Sequence, residues 1–304
     1  MAISRSQLVK ELEPGLNALF GLEYKNYANE HTEIFDAENS DRAFEEEVML
    51  SGFGNASVKP EGQGVNYDAA QETFTARYTH ETLALAFSIT EEAIEDNLYD
   101  RLASRYTKAL ARSMANAKQV KAVTPLIDGL PSTDGYDSGD GVSLFNTAHT
   151  TVSGTNVKNT LTTQADLNET SLEQSLIDIA AMTDERGLRI AARGVKMIVP
   201  SANQFTAERL MKSQGRTGTA DNDINAIGSM GMIPQGYRVN NYLTDSDAFY
   251  IITDVPNGMK MFQRAPLKTA MEGDFDTGNV RYKARERYSF GVSDFRGIFG
   301  VEGA

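Results

Sequence analysis

The chain of 304 residues has no cysteine, no tryptophan and only three histidines. The lack of cysteine excludes disulfides, thiolate metal sites and cysteine nucleophiles, and it fits a protein assembled in a reducing compartment. No apolar run approaches the roughly 20 residues of a membrane-spanning helix, and residues 1–20 lack the basic start and apolar core of a signal peptide. These absences predict a soluble protein with no membrane partner and no classical secretion signal.

Catalytic and cofactor-binding motifs are missing as well. His31, His80 and His149 have no second histidine at metal-ligand spacing, and neither Gly-Xaa-Ser-Xaa-Gly nor a phosphate-binding Gly-Lys-Ser/Thr loop occurs. One catalytic hypothesis stays open, a hydrolase that uses His149 with Asp140 and Ser143, because closeness in sequence does not establish geometry. Apart from it we predict no catalytic residue, no metal and no cofactor.

Negative charge is concentrated in the first third of the chain. Of the 42 acidic and 29 basic residues, residues 1–100 hold 20 and 6, so the net charge of −13 arises there and the remainder is nearly neutral. No acidic residue lies between Arg101 and Lys121. The basic residues of this segment are Arg101, Arg105, Lys108, Arg112, Lys118 and Lys121. The sequence therefore joins an acidic first third to a basic segment.

A long exposed strand is predicted to end at Ile89. From Leu83 to Ile89 the larger apolar residues occupy odd positions, which is the period of a half-buried strand. Upstream, Phe74 and Tyr78 occupy even positions, so we expect a bulge or twist between Tyr78 and Leu83. Residues 51–70 are rich in glycine and lack apolar periodicity, which predicts the tip of a protruding hairpin.

A long helix is predicted to follow the strand, from Thr90 to about Val123. Thr90 is a favourable N-cap residue, and apolar residues recur at helical spacing with no glycine or proline before Pro125. At the usual rise per residue this helix is roughly 45 Å long. An extended strand joined directly to so long a helix indicates a subunit that reaches outward.

Three interpretations of the basic side of this helix stay open. It is the solvated face of an amphipathic helix, or it lies against acidic residues of a second copy, or it meets nucleic-acid phosphates without reading sequence. The acidic residues considered for the second interpretation are Glu45, Glu46, Glu47, Glu61 and Glu72.

The rest of the chain mixes helical and strand patterns, which predicts the α+β class. Residues 1–50 predict one or two short helices in an arm that is ordered only by its partners, and residues 213–229 predict a polar, mobile loop. Helices are predicted at 167–182 and 202–212. Strands are predicted at 197–199, at 238–243, 249–253 and 260–264 as neighbours in one small sheet, and at 280–290 as a strand that returns to an earlier element.

Several short segments resemble one family in their order. Residues 144–150, which read LFNTAHT, and the following Gly154 and Asn159 resemble the connector of tailed-phage major head proteins, in particular the Mu-type major head subunit family. Val199 and Pro200 before a helix, then residues 237–243 and 248–254, continue in that family's order. The resemblance covers nearly the whole chain and implies the capsid fold shared by tailed phages and encapsulin shells.

The resemblance also implies a division of the chain into segments. The implied segments are an N-terminal arm (1–50), an extended loop (51–89), a peripheral domain with its spine helix (90–184), an axial domain (185–270) and a return strand of the peripheral domain (271–304). The charge pattern and these segments together predict the contact residues, which are Glu45, Glu46, Glu47, Lys59, Glu61 and Glu72 of the arm and loop, Arg101, Arg105, Lys108 and Arg112 of the spine helix, and Arg216, Asp221 and Asn222 of an axial loop.

The function implied by the resemblance is a non-enzymatic major capsid protein. It assembles as hexamers and pentamers into an icosahedral head that encloses double-stranded DNA through non-specific contacts. The expected partners are further copies of the chain, a separate scaffold, a portal and cement proteins, and the expected location is the virion capsid, assembled in the host cytoplasm. An encapsulin-type protein compartment is the alternative within the same fold.

Overall fold

The computed structural model describes residues 5–90, 92, 99–133, 135–215, 223–274 and 278–304, with the backbone alone at 5–13 and 99–102. Helices and several small sheets make up this part of the chain, so the predicted α+β class is confirmed. In the described ranges, no helix combines the length and the apolar character that a bilayer crossing requires. The helices are α1 (Arg5–Asn26), α2 (Tyr99–Asp128), α3 (Glu169–Ala181), α4 (Gln204–Lys212) and α5 (Ala226–Met230).

The strands of the described residues fall into two four-stranded sheets and two two-stranded sheets. In chain order they are β1 (Asp36–Asn39), β2 (Phe44–Leu50), β3 (Glu72–Thr79), β4 (Glu81–Ile89), β5 (His149–Thr150), β6 (Asn156–Val157), β7 (Gly194–Pro200), β8 (Tyr237–Asn240), β9 (Phe249–Thr253), β10 (Met259–Gly273), β11 (Val280–Val292) and β12 (Ile298–Val301).

The first sheet has the order β1-β10-β11-β4 and carries the two long helices on one face. β11 pairs antiparallel with both β10 and β4, which confirms the predicted strand at 280–290 and its return to an earlier element. Successive strand residues point to opposite faces, so the even-numbered residues of β11 face the helices together. Tyr282 and Ala284 are fully buried there in one apolar cluster with Leu110 and Met114 of α2.

Helix α1 packs against α2 within the same subunit. Leu16 and Phe20 are buried in the cluster that also contains residues of α2 and β11. Asn17 Oδ1 accepts hydrogen bonds from Thr269 Oγ1 at 2.7 Å and from Tyr282 OH at 2.9 Å. The expectation of short helices that are ordered only by partners is therefore wrong, because this helix buries apolar side chains on its own subunit.

Helix α2 ends later than predicted. It continues past the predicted end near Val123 and through Pro125 to Asp128. A proline interrupts one backbone hydrogen bond of a helix, but here the next residue, Leu126, is fully buried, and its packing offsets that loss. Thr124 Oγ1 donates to the carbonyl of Val120 at 3.0 Å. Most of the predicted first two turns after Thr90 lie outside the described residues.

The second sheet has the order β12-β9-β7-β8 and is covered by shorter helices. Phe249 and Phe299 of this sheet are fully buried in one cluster with Leu172 and Ile179 of α3 and Leu210 of α4. The predicted helices at 167–182 and 202–212 and the predicted strands at 197–199 and 249–253 are present.

One sheet prediction is wrong. Residues 238–243, 249–253 and 260–264 do not form neighbouring strands, because β7 lies between β8 and β9, and residues 260–264 belong to β10 in the first sheet. The last strand, β12, pairs with β9 in the second sheet. Apolar patterns in short segments indicate strands, but they do not indicate which strands pair.

β2 and β3 form a long antiparallel hairpin, residues 44–79, which we call the hairpin. Its connecting residues 51–71, the hairpin tip, agree with the predicted glycine-rich tip, whereas its first strand comes from the segment predicted as an arm. His80 separates β3, which pairs with β2, from β4, which pairs with β11. The break expected between Tyr78 and Leu83 is therefore a change of strand partner.

Candidate assembly surfaces

The root of the hairpin is fixed to the body of the subunit. Tyr78 is buried, with its OH 2.5 Å from Ser293 Oγ and its ring in edge contact with Phe262 at a centroid distance of 4.8 Å. Lys260 Nζ lies 2.5 Å from Glu47 Oε1, and the Lys260 side chain is only 9% exposed. These contacts give the hairpin a defined starting point and direction.

The hairpin tip exposes apolar side chains that no core of this subunit covers. Val58 is 93% exposed and Tyr67 is 98% exposed, and Phe53 and Val65 are also mostly exposed. Several large apolar side chains exposed on one projection are typical of a site of contact with another molecule. The tip is therefore the first candidate surface for assembly.

One charged residue ties the tip back to the body. Asp68 Oδ2 accepts a hydrogen bond from the backbone N–H of Gly54 at 2.7 Å, and Asp68 Oδ1 accepts one from Arg186 at 2.8 Å. The hydrogen bond from Gly54 is the main reason why the pKa of Asp68 lies below its usual range. Asp68 thus limits the directions in which the otherwise open tip can point.

The predicted contact residues of the hairpin differ in their surroundings. Glu47 belongs to the root contact just described, and Glu45 Oε1 accepts a hydrogen bond from Ser40 Oγ at 2.6 Å. Glu46 lies 3.7 Å from Arg77 in a pair whose two side chains are about half exposed. The predicted residues that are exposed and form no ion pair within the described ranges are Lys59, Glu61 and Glu72.

The basic residues of α2, the spine helix, fall into two groups. Lys118 Nζ lies 3.3 Å from Glu286 in a buried pair, and Lys121 Nζ lies 2.7 Å from Glu81. Three others are exposed and have no acidic partner among the described residues, namely Arg105, Lys108 and Arg112. The side chain of the fourth predicted residue, Arg101, lies outside the described part. The free basic residues are thus confined to the exposed side of this helix.

The opposite face of the first sheet carries a second basic surface, which the sequence analysis did not single out. We call it the basic sheet face and define it by Lys268 of β10 and Lys283, Arg285 and Arg287 of β11. The signal was present in the sequence, because β11 has a basic residue at each odd position from Arg281 to Arg287. This alternation predicts a strand, but it does not by itself show that the basic residues share an exposed face.

The predicted axial loop cannot be placed, because Arg216, Asp221 and Asn222 lie outside the described residues. Asn225 holds the following segment, since its Nδ2 donates to the carbonyl of Leu210 at 2.7 Å. The position of the predicted axial loop near a symmetry axis remains a prediction.

The residues of the catalytic hypothesis do not form a nucleophile and base pair. His149 Nδ1 lies 2.5 Å from Asp140 Oδ2, but its Nε2 lies 3.1 Å from Asn159 Oδ1, and Ser143 Oγ donates instead to the carbonyl of Phe145. The imidazole is fully buried, so no substrate reaches it in this arrangement. The described residues also contain no cluster of three or more acidic or histidine side chains that could hold a metal.

These residues form a structural hub of the connector. Asn159 Nδ2 donates to the carbonyl oxygens of Leu144 at 2.7 Å and Phe295 at 3.1 Å, and Asn159 Oδ1 accepts from the backbone N–H of Asn146 at 3.0 Å. The His149 ring stacks on the ring of Phe295 at 3.8 Å. The LFNTAHT segment and Asn159 thus join the connector to the C-terminal part of the chain.

A family model described as phage capsid protein matches residues 72–301, most of the chain. The chain belongs to this phage capsid protein family. The matched range begins in β3 and ends with β12, so it contains the spine helix, the connector hub, both four-stranded sheets except β1, and the basic sheet face.

Solved structures agree with this capsid protein in fold. A virus-like particle from Pyrococcus furiosus has 10% sequence identity and a TM-score of 0.54, over 94% of this chain and 98% of that one. The capsid of an empty GTA particle has 13% identity and a TM-score of 0.55, over 90% and 89%. The capsid of Myoviridae phage XM1 has 12% identity and a TM-score of 0.52, over 89% of each chain. No curated protein sequence matches significantly.

The family assigns this capsid protein to the shell of a phage head, where it is a structural protein of the virion that associates with copies of itself. That role requires surfaces that the isolated subunit leaves uncovered. The hairpin tip, the exposed side of the spine helix and the basic sheet face are the uncovered surfaces described above.

Proposed function

We propose that the chain is the major capsid protein of a phage head, which assembles as hexamers and pentamers into an icosahedral shell around double-stranded DNA. The observation that carries the proposal is the hairpin. Its root is locked by Tyr78 and Lys260, whereas its tip exposes Val58 and Tyr67 almost completely. A rigidly mounted apolar projection suits insertion between copies, and modest contacts repeated over many copies sum to a stable shell.

The proposal includes further partners, which the family resemblance suggests. They are a separate scaffold, a portal, cement proteins and DNA that is bound without sequence preference, with assembly in the host cytoplasm. The free cations of the spine helix support non-specific contact with phosphates, because Arg105, Lys108 and Arg112 are exposed and unpaired within the described part of the chain.

An enzymatic role has no support from the described geometry. The His149 imidazole is buried between Asp140 and Asn159, and Ser143 is directed to a backbone carbonyl. We therefore propose a purely structural subunit. The encapsulin-type compartment is the less favoured shell, because the family that matches is that of phage capsids.

Particle formation and content test the proposed function. The chain is expressed alone and together with candidate scaffold genes, and the purified material is imaged by electron microscopy and assayed for nuclease-protected nucleic acid after packaging. Closed shells of hexamers and pentamers that enclose DNA are expected. Soluble subunits that never form shells would contradict the proposal, and shells that hold protein cargo instead of DNA would favour the encapsulin-type compartment.

A further inference from the structure

A buried histidine, His80, lies at the point where the hairpin joins the body, which we call the hinge. His80 is the single residue between β3 and β4, and it is only 5% exposed. Its Nε2 lies 2.9 Å from the Oγ of Ser40, which precedes β2, and its Nδ1 lies 2.9 Å from the Oγ of Ser289 in β11. The imidazole therefore joins the two ends of the hairpin to each other and to the first sheet.

The hydrogen bonds around His80 select one neutral form of its ring. Ser40 Oγ donates its proton to Glu45 Oε1 at 2.6 Å, so towards His80 Nε2 it can only accept. When Nε2 of a neutral imidazole carries the proton, Nδ1 is an acceptor, and Ser289 Oγ donates to it. A proton added at Nδ1 would meet a hydroxyl group that is oriented as a donor. The hinge is thus arranged for a neutral imidazole.

The charged groups around His80 also oppose a positive ring. Arg264 of β10 and Arg287 of β11 lie near it, and neither forms an ion pair with the residues that the structure describes. Glu45 of β2 is the acidic group that favours the charged ring. Burial, together with Arg287, lowers the pKa of His80 below its ordinary value, although Glu45 opposes this shift. The other charged residues next to the hinge in sequence are Asp41, Arg42 and Glu81, of which Glu81 pairs with Lys121.

The two other contacts of the hairpin root keep their charge state between pH 5 and pH 7.5. Burial raises the pKa of the Tyr78 hydroxyl well above its usual range, so this group stays neutral. For Lys260, burial lowers the pKa, but the hydrogen bonds to Glu47 and Glu38 outweigh burial and raise it, so the amine stays charged. Of these three root contacts, the one through His80 therefore changes its charge in this range.

We propose that His80 is an acid-sensitive lock of the hinge. While its imidazole is neutral, it holds the hairpin against the first sheet. Once a proton enters at Nδ1, the hydrogen bond from Ser289 is lost, the root loosens and the hairpin changes its angle to the body. The inference goes beyond the proposed function, because it concerns a motion within one subunit and is tested without particles. In a shell, every copy would respond to acid at the same place.

The direction of the pH effect follows from the two arrangements of the hinge. In the loosened arrangement water reaches His80, whose pKa is then about 6.5, whereas in the locked arrangement the pKa is lower. The lock is therefore at full strength above pH 6.5 and weakens as the pH falls below that value. With this pKa in the loosened arrangement, the ratio of loosened to locked subunits can rise at most about 30-fold at pH 5.0.

Histidine NMR tests the protonation step. The chain has three histidines, and His80→Gln identifies the signals of His80. We expect His80 to carry its proton on Nε2 at pH 7.5 and to titrate below pH 6.5. Ser289→Ala removes the donor to Nδ1 and should raise this pKa, whereas Glu45→Gln removes the nearby carboxylate and should lower it. A proton on Nδ1 at pH 7.5, or titration at or above pH 6.5, would overturn the proposal.

Energy transfer between two dyes tests the motion. Because the chain has no cysteine, Glu61→Cys in the tip and Lys283→Cys on β11 place one dye on each side of the hinge. Arg186→Ala in the same chain removes the exposed pair with Asp68, so that the root alone is followed. Single-molecule measurements on the unassembled subunit should show that the ratio of loosened to locked subunits rises at least threefold between pH 7.5 and pH 5.0, and reverses.

The matched variant is His80→Gln, because glutamine donates and accepts hydrogen bonds but does not titrate. In this variant the ratio should not depend on pH, whereas the control His31→Gln, at a second buried histidine, should keep the full response. Circular dichroism verifies that each variant is folded. An unchanged ratio in the wild type, or an equal rise in His80→Gln, overturns the proposal. Subunits that respond as expected but never form particles contradict the proposed function alone.

Discussion

The second sheet buries its large apolar residues, whereas the hairpin exposes those of its tip to solvent. In the sheet, Phe249 and Phe299 are fully buried against α3 and α4. In the hairpin, the tip residues Val58 and Tyr67 are almost fully exposed, and apart from the exposed pair of Asp68 with Arg186 the contacts described above lie at its root. Burial of large apolar side chains is the main source of folding stability, so the sheet stabilises the subunit and the tip contributes almost nothing to it.

This difference separates two kinds of stability in one chain. The free energy of unfolding of the subunit depends on the sheets and helices. The stability of the particle depends on surfaces that the subunit alone leaves open. Substitutions in the two regions are therefore expected to separate the two quantities.

The largest effect is expected from a cavity in the second sheet. Phe299→Ala removes a fully buried ring and should lower the free energy of unfolding of the subunit by about 3–5 kcal/mol. Urea denaturation of the unassembled protein measures this free energy of unfolding. The matched variant Tyr67→Ala in the tip should change the same quantity by less than about 0.5 kcal/mol and lower the yield of particles. Equal losses of subunit stability would contradict the comparison.

The next effect concerns the buried ion pair that joins the spine helix to the first sheet. Lys118→Met leaves the Glu286 carboxylate, whose side chain is 1% exposed, without its cation and should cost about 3 kcal/mol. The double variant Lys118→Met/Glu286→Gln should recover a large part of this loss, because no uncompensated charge remains. Chemical denaturation of both variants measures these losses. If Lys118 acted only through packing, the double variant would recover none of the lost stability.

A pH effect of about 2–3 kcal/mol is expected at His31, which links the segment after α1 to the spine helix. Burial, together with the nearby Lys118, lowers the pKa of His31 to about 4, while Gln119 Nε2 donates to His31 Nδ1 at 2.9 Å. In the unfolded chain the pKa of His31 is about 6.5. The contribution of neutral, buried His31 to the free energy of unfolding is therefore fully present above pH 6.5 and decreases as the pH falls towards 4. Unfolding of the subunit at pH 7 and pH 4.5 measures the loss.

His31→Gln is the control for this pH effect, because glutamine does not titrate. The difference in stability between wild type and this variant should depend on pH between 6.5 and 4. A difference that stays constant over that range would contradict the assignment to His31.

The smallest effect is expected at the contact that ties the tip to the body. Arg186→Ala removes the hydrogen bond to Asp68 and should leave the melting temperature of the subunit unchanged. Chymotrypsin should cleave after the exposed Tyr67 faster in the variant, because the tip samples more conformations. An unchanged cleavage rate would show that Arg186 does not restrain the tip.

The sequence predicts those parts of the fold that depend on local pattern. The change of parity between Tyr78 and Leu83 locates the switch from hairpin to sheet, and the helical spacing predicts most of the spine helix. A local pattern does not specify the partner of a strand or a helix. The docking of α1 on the first sheet depends on contacts such as that of Asn17 with Thr269 of β10, two residues that are far apart in sequence.

The assembly surfaces were predicted less completely for the same reason. The exposed cations of the spine helix were visible as a basic segment without acids. The basic sheet face depends on the pairing of β10 with β11, which places Lys268 opposite Arg285. For the acidic hairpin, sequence alone could not show that Glu47 forms an ion pair with Lys260, whereas Glu72 forms none with the residues that the structure describes.

Hydrogen exchange of residues 51–71, measured in the free subunit and in the closed particle, tests the central claim most directly. We expect these amides to exchange rapidly in the free subunit, where the tip is exposed, and to be strongly protected in the particle, while the amides of β7 and β9 are protected in both. Equally rapid exchange of residues 51–71 in the particle would contradict the claim that the hairpin tip is an assembly surface.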